Sequence, residues 1–201
     1  MSTLTISNYT LKHFDLKAKA IMDEYLNLIN VDVSDYTFAG NYIWLSTATG
    51  FYTIVNETFC LFILNSGELT MLLPPIGKKE NTYDAMIQCF EIMNSHNSNR
   101  NYSKIEYVHE ELLEGFVDYL EEGTLVYEML KDFIIEKKLV DYIYKVEDLI
   151  DLKGDSYKSK RNEINRFRNV YPNHKIEILD KEKHGSAVMA LFNKWVRDRT
   201  T

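Results

Sequence analysis

With 201 residues, 45% of them hydrophobic, the chain has an ordinary globular composition and enough apolar material for one or two packed domains. A net charge of −7 and an isoelectric point near 5.3 exclude a general nucleic-acid binder, because affinity for phosphates needs clustered cations. The longest strongly apolar run, Phe59 to Leu64, is six residues, against the roughly 20 needed to cross a bilayer. The N-terminal stretch MSTLTISNYTLKHFD has neither a secretory apolar core nor an Arg-rich transit pattern, so the expected location is the cytoplasm, with membrane contact only peripheral.

In chain order, the apolar spacing from Leu11 to Ile29 predicts an amphipathic helix of about five turns. The aromatic block Tyr36 to Trp44, with Gly40 inside it, reads as a loop and strand of the core. Phe51 to Asn56, Thr58 to Asn65 and Glu68 to Leu73 alternate as strands of an antiparallel meander. Asn65-Ser66-Gly67 is hairpin chemistry, and Pro74-Pro75-Ile76-Gly77 ends the sheet edge. Gly77-Lys78-Lys79 lacks the glycine-rich loop that a phosphate cradle requires.

Asn81 or Thr82 can cap a helix running to about Asn94, followed by a polar surface loop to Ser103. Lys104 to Val108 reads as a short strand and Glu110 to Leu120 as a helix with a solvated acidic face. His109-Glu110-Glu111 is not a zinc motif, since Leu113 stands where HExxH needs its second His, and no metal site is expected. Cys60 and Cys89, in apolar settings, are expected as buried free thiols. Leu125 to Ile135 fits a strand or a helix.

The segment Asp141 to Tyr171 combines an aromatic strand-like piece, a short acidic helix, Gly154 and a basic amphipathic helix. Between Lys153 and Val170, six cations face two acids, a local charge of +4 that leaves −11 on the rest of the chain. On a helix, Tyr157, Ile164 and Tyr171 share a stripe beside Phe167, which predicts a face docked on a core. Arg161 and Arg168 form a second stripe, and Lys160 shares a row with Phe167, leaning toward the buried side where it must snorkel or meet an anion. Lys175 to Leu179 then reads as a strand and Ala187 to Arg197 as a helix with an apolar face around Trp195.

The run Gly154, Tyr157, Lys160, Arg161, Asn162, Ile164, Phe167 and Tyr171, preceded by Asp141-Tyr142-Ile143-Tyr144 and Leu149, resembles the central motif of the phosphatidylglycerol lysyltransferase C-terminal-like family. Tyr36, Thr37, Phe38, Asn41, Tyr42, Ile43 and Trp44, then Pro75-Ile76-Gly77, resemble its N-terminal half. The resemblance implies an α+β fold of the acyl-CoA N-acyltransferase type, a mixed and largely antiparallel sheet flanked by helices, in two similar halves. It implies a first such domain over 1–150, with 151–201 as the junction helix and the start of a second, truncated one.

Relatives of this kind transfer an aminoacyl group from a charged tRNA to a lipid head group, so the donor implied is aminoacyl-tRNA or an acyl thioester such as acyl-CoA. Lys160, Arg161 and Arg168 would hold a phosphate or another anion, and Asn162 would orient a neighbour. No catalytic residue is assigned; Glu163 and His174 are the nearest candidate bases. The pyrophosphate loop of such enzymes has no match, because all eight glycines stand isolated, and no cofactor is expected within the chain. Glu136-Lys137-Lys138 also departs from the acidic-basic-acidic step that the family tends to carry there. The alternative is a non-catalytic remnant or partner-binding module. In it, Lys160 and Arg161 would pair with Glu147, Asp148 or Asp151, and a second half or another partner would cover the Trp195 face.

Overall fold

The computed structural model describes residues 3–45, 48–113, 133–137 and 140–199, and its chain divides into two compact units, Met1–Ile143 and Tyr144–Thr201. The fold is α+β. The first unit is built on five antiparallel strands in the order β1 (Thr3–Ile6), β2 (Tyr9–His13), β3 (Thr49–Val55), β4 (Thr58–Asn65) and β5 (Glu68–Met71). Two-residue turns set the register. Asn56 and Glu57 between β3 and β4, and Ser66 and Gly67 between β4 and β5, all take positive φ, the conformation whose twist matches a tight hairpin.

β4 is apolar at nearly every position because both of its faces are covered. Cys60 and Phe62 pack with Leu11, Leu69 and Met71 against Ala85, Cys89, Ile92 and Met93 of α3 (Lys79–His96). Phe59, Leu61 and Ile63 face the other way, toward Ala18 and Met22 of α1 (Ala18–Leu26) and Phe38 of α2 (Phe38–Trp44). The sheet is thus the middle layer between α3 and the α1–α2 pair. Cys60 and Cys89 are free and buried in one core, and burial, with Cys60 beside it, pushes the Cys89 thiol well up.

Four expectations for this unit are corrected. The helix predicted from Leu11 begins only at Ala18, because Leu11 pairs with Leu4 and Lys12 with Tyr52 in the sheet. Its helical spacing across Leu11, Phe14 and Ala18 arises from residues of a strand, a turn and a helix that all face apolar surroundings. The Tyr36 to Trp44 block is helical from Phe38. Thr37 Oγ1 accepts the Gly40 N–H at 3.1 Å, and the buried Asn41 amide donates to the carbonyls of Asp35 at 2.6 Å and Thr37 at 2.8 Å. α3 starts at Lys79 without a side-chain cap; Thr82, one turn in, donates to the Lys78 carbonyl at 3.0 Å. Lys104 to Val108 makes only one parallel bridge, Ile105 to Met71.

Ile76 does more than end the sheet, since it exchanges backbone hydrogen bonds of 2.8 and 2.9 Å with Phe59. Residues 110–113 are helical; the remainder of the predicted 110–120 helix, and most of Leu125 to Ile135, lie outside the described residues.

The second unit holds α4 (Val146–Asp151), a 3-10 turn (Asp155–Tyr157), α5 (Lys158–Val170) and α6 (Lys181–Arg199). Neither Asp141–Tyr144 nor Lys175–Leu179 forms a strand. Ile176 and Ile178 alternate as strand residues do, but no ladder partner meets them among the described residues, and they stand 93% and 95% exposed. α6 starts six residues earlier than its apolar spacing suggests, because Asp180 caps it: its Oδ1 accepts the Lys183 N–H at 2.8 Å, and its own N–H donates to His184 Nδ1 at 3.0 Å. No described residue of this unit is buried. No described helix is long and apolar enough to cross a membrane.

Candidate functional site

The basic segment is organised by the turn between α4 and α5. Leu152 ends α4 in the left-handed conformation (φ 49°), and Gly154 follows at φ 85°, ψ 175°, a region essentially reserved for glycine. These two residues turn their carbonyls toward one guanidinium. Arg161 Nη1 donates to the Leu152 carbonyl and, at 2.7 Å, to the Gly154 carbonyl. The link runs from sequence to geometry: a C-terminal left-handed residue and a glycine leave carbonyls without helical partners, and an arginine one turn into the next helix satisfies them.

Each predicted site residue can now be placed. Arg161 is partly buried and does not pair with Glu147, Asp148 or Asp151; Asp151 instead meets Lys153 at 2.7 Å. Lys160 does not lean into a core. Its side chain is 67% exposed and reaches Glu163, one turn on, at 3.5 Å. With most of its side chain in water the ammonium stays hydrated, which is the lower-cost arrangement for a compact cation. Arg168 and Asn162 are exposed on α5 and have no side-chain hydrogen bond among the described residues.

The expected docking face of α5 is not covered either, with Ile164 39%, Phe167 49% and Tyr171 56% exposed. What packing exists is local. The Phe167 ring lies 5.1 Å from Tyr171 and 5.1 Å from His174. Glu163, Arg166, Phe167, Val170 and Tyr171 line an open hollow of ≈ 300 Å³ on this side of α5. Of the two candidate bases, Glu163 sits in this hollow beside Lys160, and His174 is held at its rim by a 2.7 Å contact between Nδ1 and the Tyr171 carbonyl. A carbonyl can only accept, so Nδ1 is the donor in that contact.

Sequence reasoning missed Arg166 as a lining residue. Its signal was available: it lies three residues beyond Glu163 and four before Val170, spacings that put all three on one face of the helix. His184 is engaged at both nitrogens, by the Asp180 N–H and by Glu177 at 3.3 Å, so it serves the start of α6. Among the described residues no three His, Cys, Asp or Glu side chains gather in metal-binding geometry.

The first unit has a hollow of ≈ 440 Å³ lined by Lys19, Asp23, Tyr36, Thr37 and Phe38 among others. Its one perturbed group is Tyr36, whose phenol burial pushes up to about 12, against a backbone hydrogen bond from His109 that lowers it and with the Asp35 charge that raises it further. The phenol donates to the Tyr107 carbonyl at 3.1 Å, so it is a structural hydroxyl and not a poised acid.

The family model described as phosphatidylglycerol lysyltransferase, C-terminal, matches residues 26–201. The chain belongs to this family. The match takes in both blocks that carry the resemblance, α2 in the first unit and the α4–α5 turn in the second. The phosphatidylglycerol lysyltransferase C-terminal family is thereby shown for all but the first 25 residues, a stretch that includes β1 and β2. No curated protein and no solved structure matches the chain.

Proposed function

We propose that the chain is part of an aminoacyl or acyl transferase of the phosphatidylglycerol lysyltransferase kind, taking its donor from aminoacyl-tRNA or an acyl thioester. The observation that carries this reading is the family match from residue 26 to 201, which includes the cation-bearing helix α5. In this reading 1–150 is an N-acyltransferase-like domain, and 151–201 is the junction and the beginning of a second. Lys160, Arg161 and Arg168 hold the donor phosphate or an anionic acceptor, and Asn162 orients a neighbouring group. No cofactor is held by the chain itself, and the reaction takes place in the cytoplasm.

Transfer of an aminoacyl group between two oxygen esters needs little covalent help from the protein. The acceptor hydroxyl must be brought to the ester carbonyl, its proton removed and the leaving oxygen reprotonated. Holding two anionic reactants together is itself most of that task, and cations on a rigid helix do it without reorganising.

The test is to incubate the full chain with tRNA charged with radiolabelled lysine and with vesicles containing phosphatidylglycerol, then count label in the organic phase. Label appearing there, and lost in the Lys160→Ala, Arg161→Ala double variant with its helicity unchanged, supports the reading. Absence of label with every charged tRNA and anionic lipid tried overturns it. A second reading, a non-catalytic module that binds a partner or packs a second half, is favoured by one observation: Leu191, Phe192 and Trp195 of α6 are 68%, 52% and 50% exposed. Under it the same double variant loses association with that partner while no transfer is seen in any form.

A further inference from the structure

The guanidinium of Arg161 is held on one side only. Both hydrogens of Nη1 are spent on the turn, one on the Leu152 carbonyl and one on the Gly154 carbonyl at 2.7 Å. In an arginine side chain Nη1 lies cis to Cδ, so the remaining donors, Nε–H and the Nη2 amino group, share the opposite edge of the plane. That edge is the one that grips an oxyanion with two parallel hydrogen bonds. No described residue takes it. Lys160, the neighbour with the same formal charge, is by contrast 67% exposed, held only by a 3.5 Å contact to Glu163, and offers a mobile point charge.

From this asymmetry we infer that Arg161 is a preoriented oxyanion receptor: Nη1 anchors it to the α4–α5 turn, and the Nε–Nη2 edge takes a phosphate or carboxylate group in bidentate fashion. The inference rests on the reading that α5 faces an anionic reactant, and it separates the roles of two adjacent residues that the sequence treats alike. Arg161 supplies the directed, two-pronged contact, and Lys160 adds a single adjustable point charge to the same anion.

The anchor has a physical consequence. An exposed arginine loses rotamer freedom when it binds, a cost that weakens most single-arginine sites. Here the turn has already removed that freedom during folding, so the two hydrogen bonds to the anion are made by a plane whose orientation is set beforehand. The positive φ of Leu152 and Gly154 is what aims the carbonyls that set it.

The test uses the full chain, labelled with ¹⁵N at arginine and titrated with inorganic phosphate, with acetate, and with chloride as a control, while the Nε–Hε resonances are followed. The Arg161 resonance, assigned by its absence in Arg161→Lys, is expected to shift saturably with phosphate or acetate and not with chloride. The tighter of the two names the anion class. Arg161→Lys should weaken binding at least about tenfold, because an ammonium cannot offer a two-pronged edge, whereas Lys160→Ala should weaken it by a clearly smaller factor, about threefold.

If the lysine variant disturbs the turn, the titration of the unaltered chain still decides the matter. A shift at Arg166 or Arg168 with none at Arg161 overturns the inference and leaves the anion-binding reading of α5 intact. No saturable shift at any arginine of α5 overturns both. Equal losses in Lys160→Ala and Arg161→Lys overturn the separation of roles.

Discussion

Phe59 and Phe167 are the same side chain in two settings. Phe59, on the interior strand β4 of the first unit, is fully buried, stacked at 5.2 Å on Tyr52 and edge-on to Phe14. Phe167, on the basic helix of the second, is 49% exposed, and its ring partners among the described residues are Tyr171 and His174, from its own chain neighbourhood. The first unit closes two cores around one sheet, whereas the second displays its apolar residues. In the first unit sequence determines stability through burial, and in the second it determines surface chemistry held by backbone turns.

Substitutions can sharpen this contrast or break it. The largest effect is expected for Phe59→Ala, which should cost roughly 3–5 kcal/mol in denaturant unfolding because the site cannot collapse around the void. Phe167→Ala should cost under about 1 kcal/mol, since much of that ring is already in water. Comparable losses would show that the second unit has a core of its own.

Next in size is the pH response of the first unit. The Tyr36 phenol ionises near 10 when unfolded and about 12 when folded. Below pH 10 both states keep the proton, and the stabilisation is present in full. As pH rises from 10 to 12 the unfolded chain gives up its proton first, so stability falls, by on the order of 3 kcal/mol once pH passes 12. Unfolding midpoints taken across this window should show that fall, and Tyr36→Phe should remove the Tyr36 share of it, leaving the response of Tyr25, Tyr52 and Cys89, which burial also pushes up.

Gly154→Ala addresses the second unit. Nothing lies within 4 Å of an added Cβ, so any cost is backbone strain at φ 85°, about 1–3 kcal/mol. Faster amide exchange across 152–158 with normal exchange in β4 would locate the effect in the turn that Arg161 closes. Thr37→Ala should cost about 1 kcal/mol through loss of the α2 cap, read from the unfolding midpoint of the first unit. The smallest effect belongs to Lys160→Ala, within about 0.5 kcal/mol of no change, because its 3.5 Å pair with Glu163 is open to solvent.

Legibility followed the range of the interactions involved. β3, β4 and β5 were readable because alternation and the turn at Ser66-Gly67 lie within a few residues of the strands they define. α3, α5 and α6 were readable as helices for the same reason, and the family was readable from two blocks of residue types at fixed spacing. β2 was not, because Leu11 obeys the helical spacing of its neighbours, and only pairing with Leu4 and with β3 makes it a strand. α2 was missed because its aromatic content suggests a strand, while Thr37 and Asn41 secure the helix through bonds to nearby backbone.

The candidate site divides in the same way. That a cationic helix follows Gly154, and that Lys160, Arg161 and Arg168 lie on it, was determined by the sequence alone. Which cation is committed was decided by tertiary structure. The partners of Arg161 are carbonyls, and every residue has one; their direction depends on the backbone angles at Leu152 and Gly154, which no pattern of side-chain types encodes. Residue type sets charge and periodicity, but the folded backbone sets which donors are spent and which remain free.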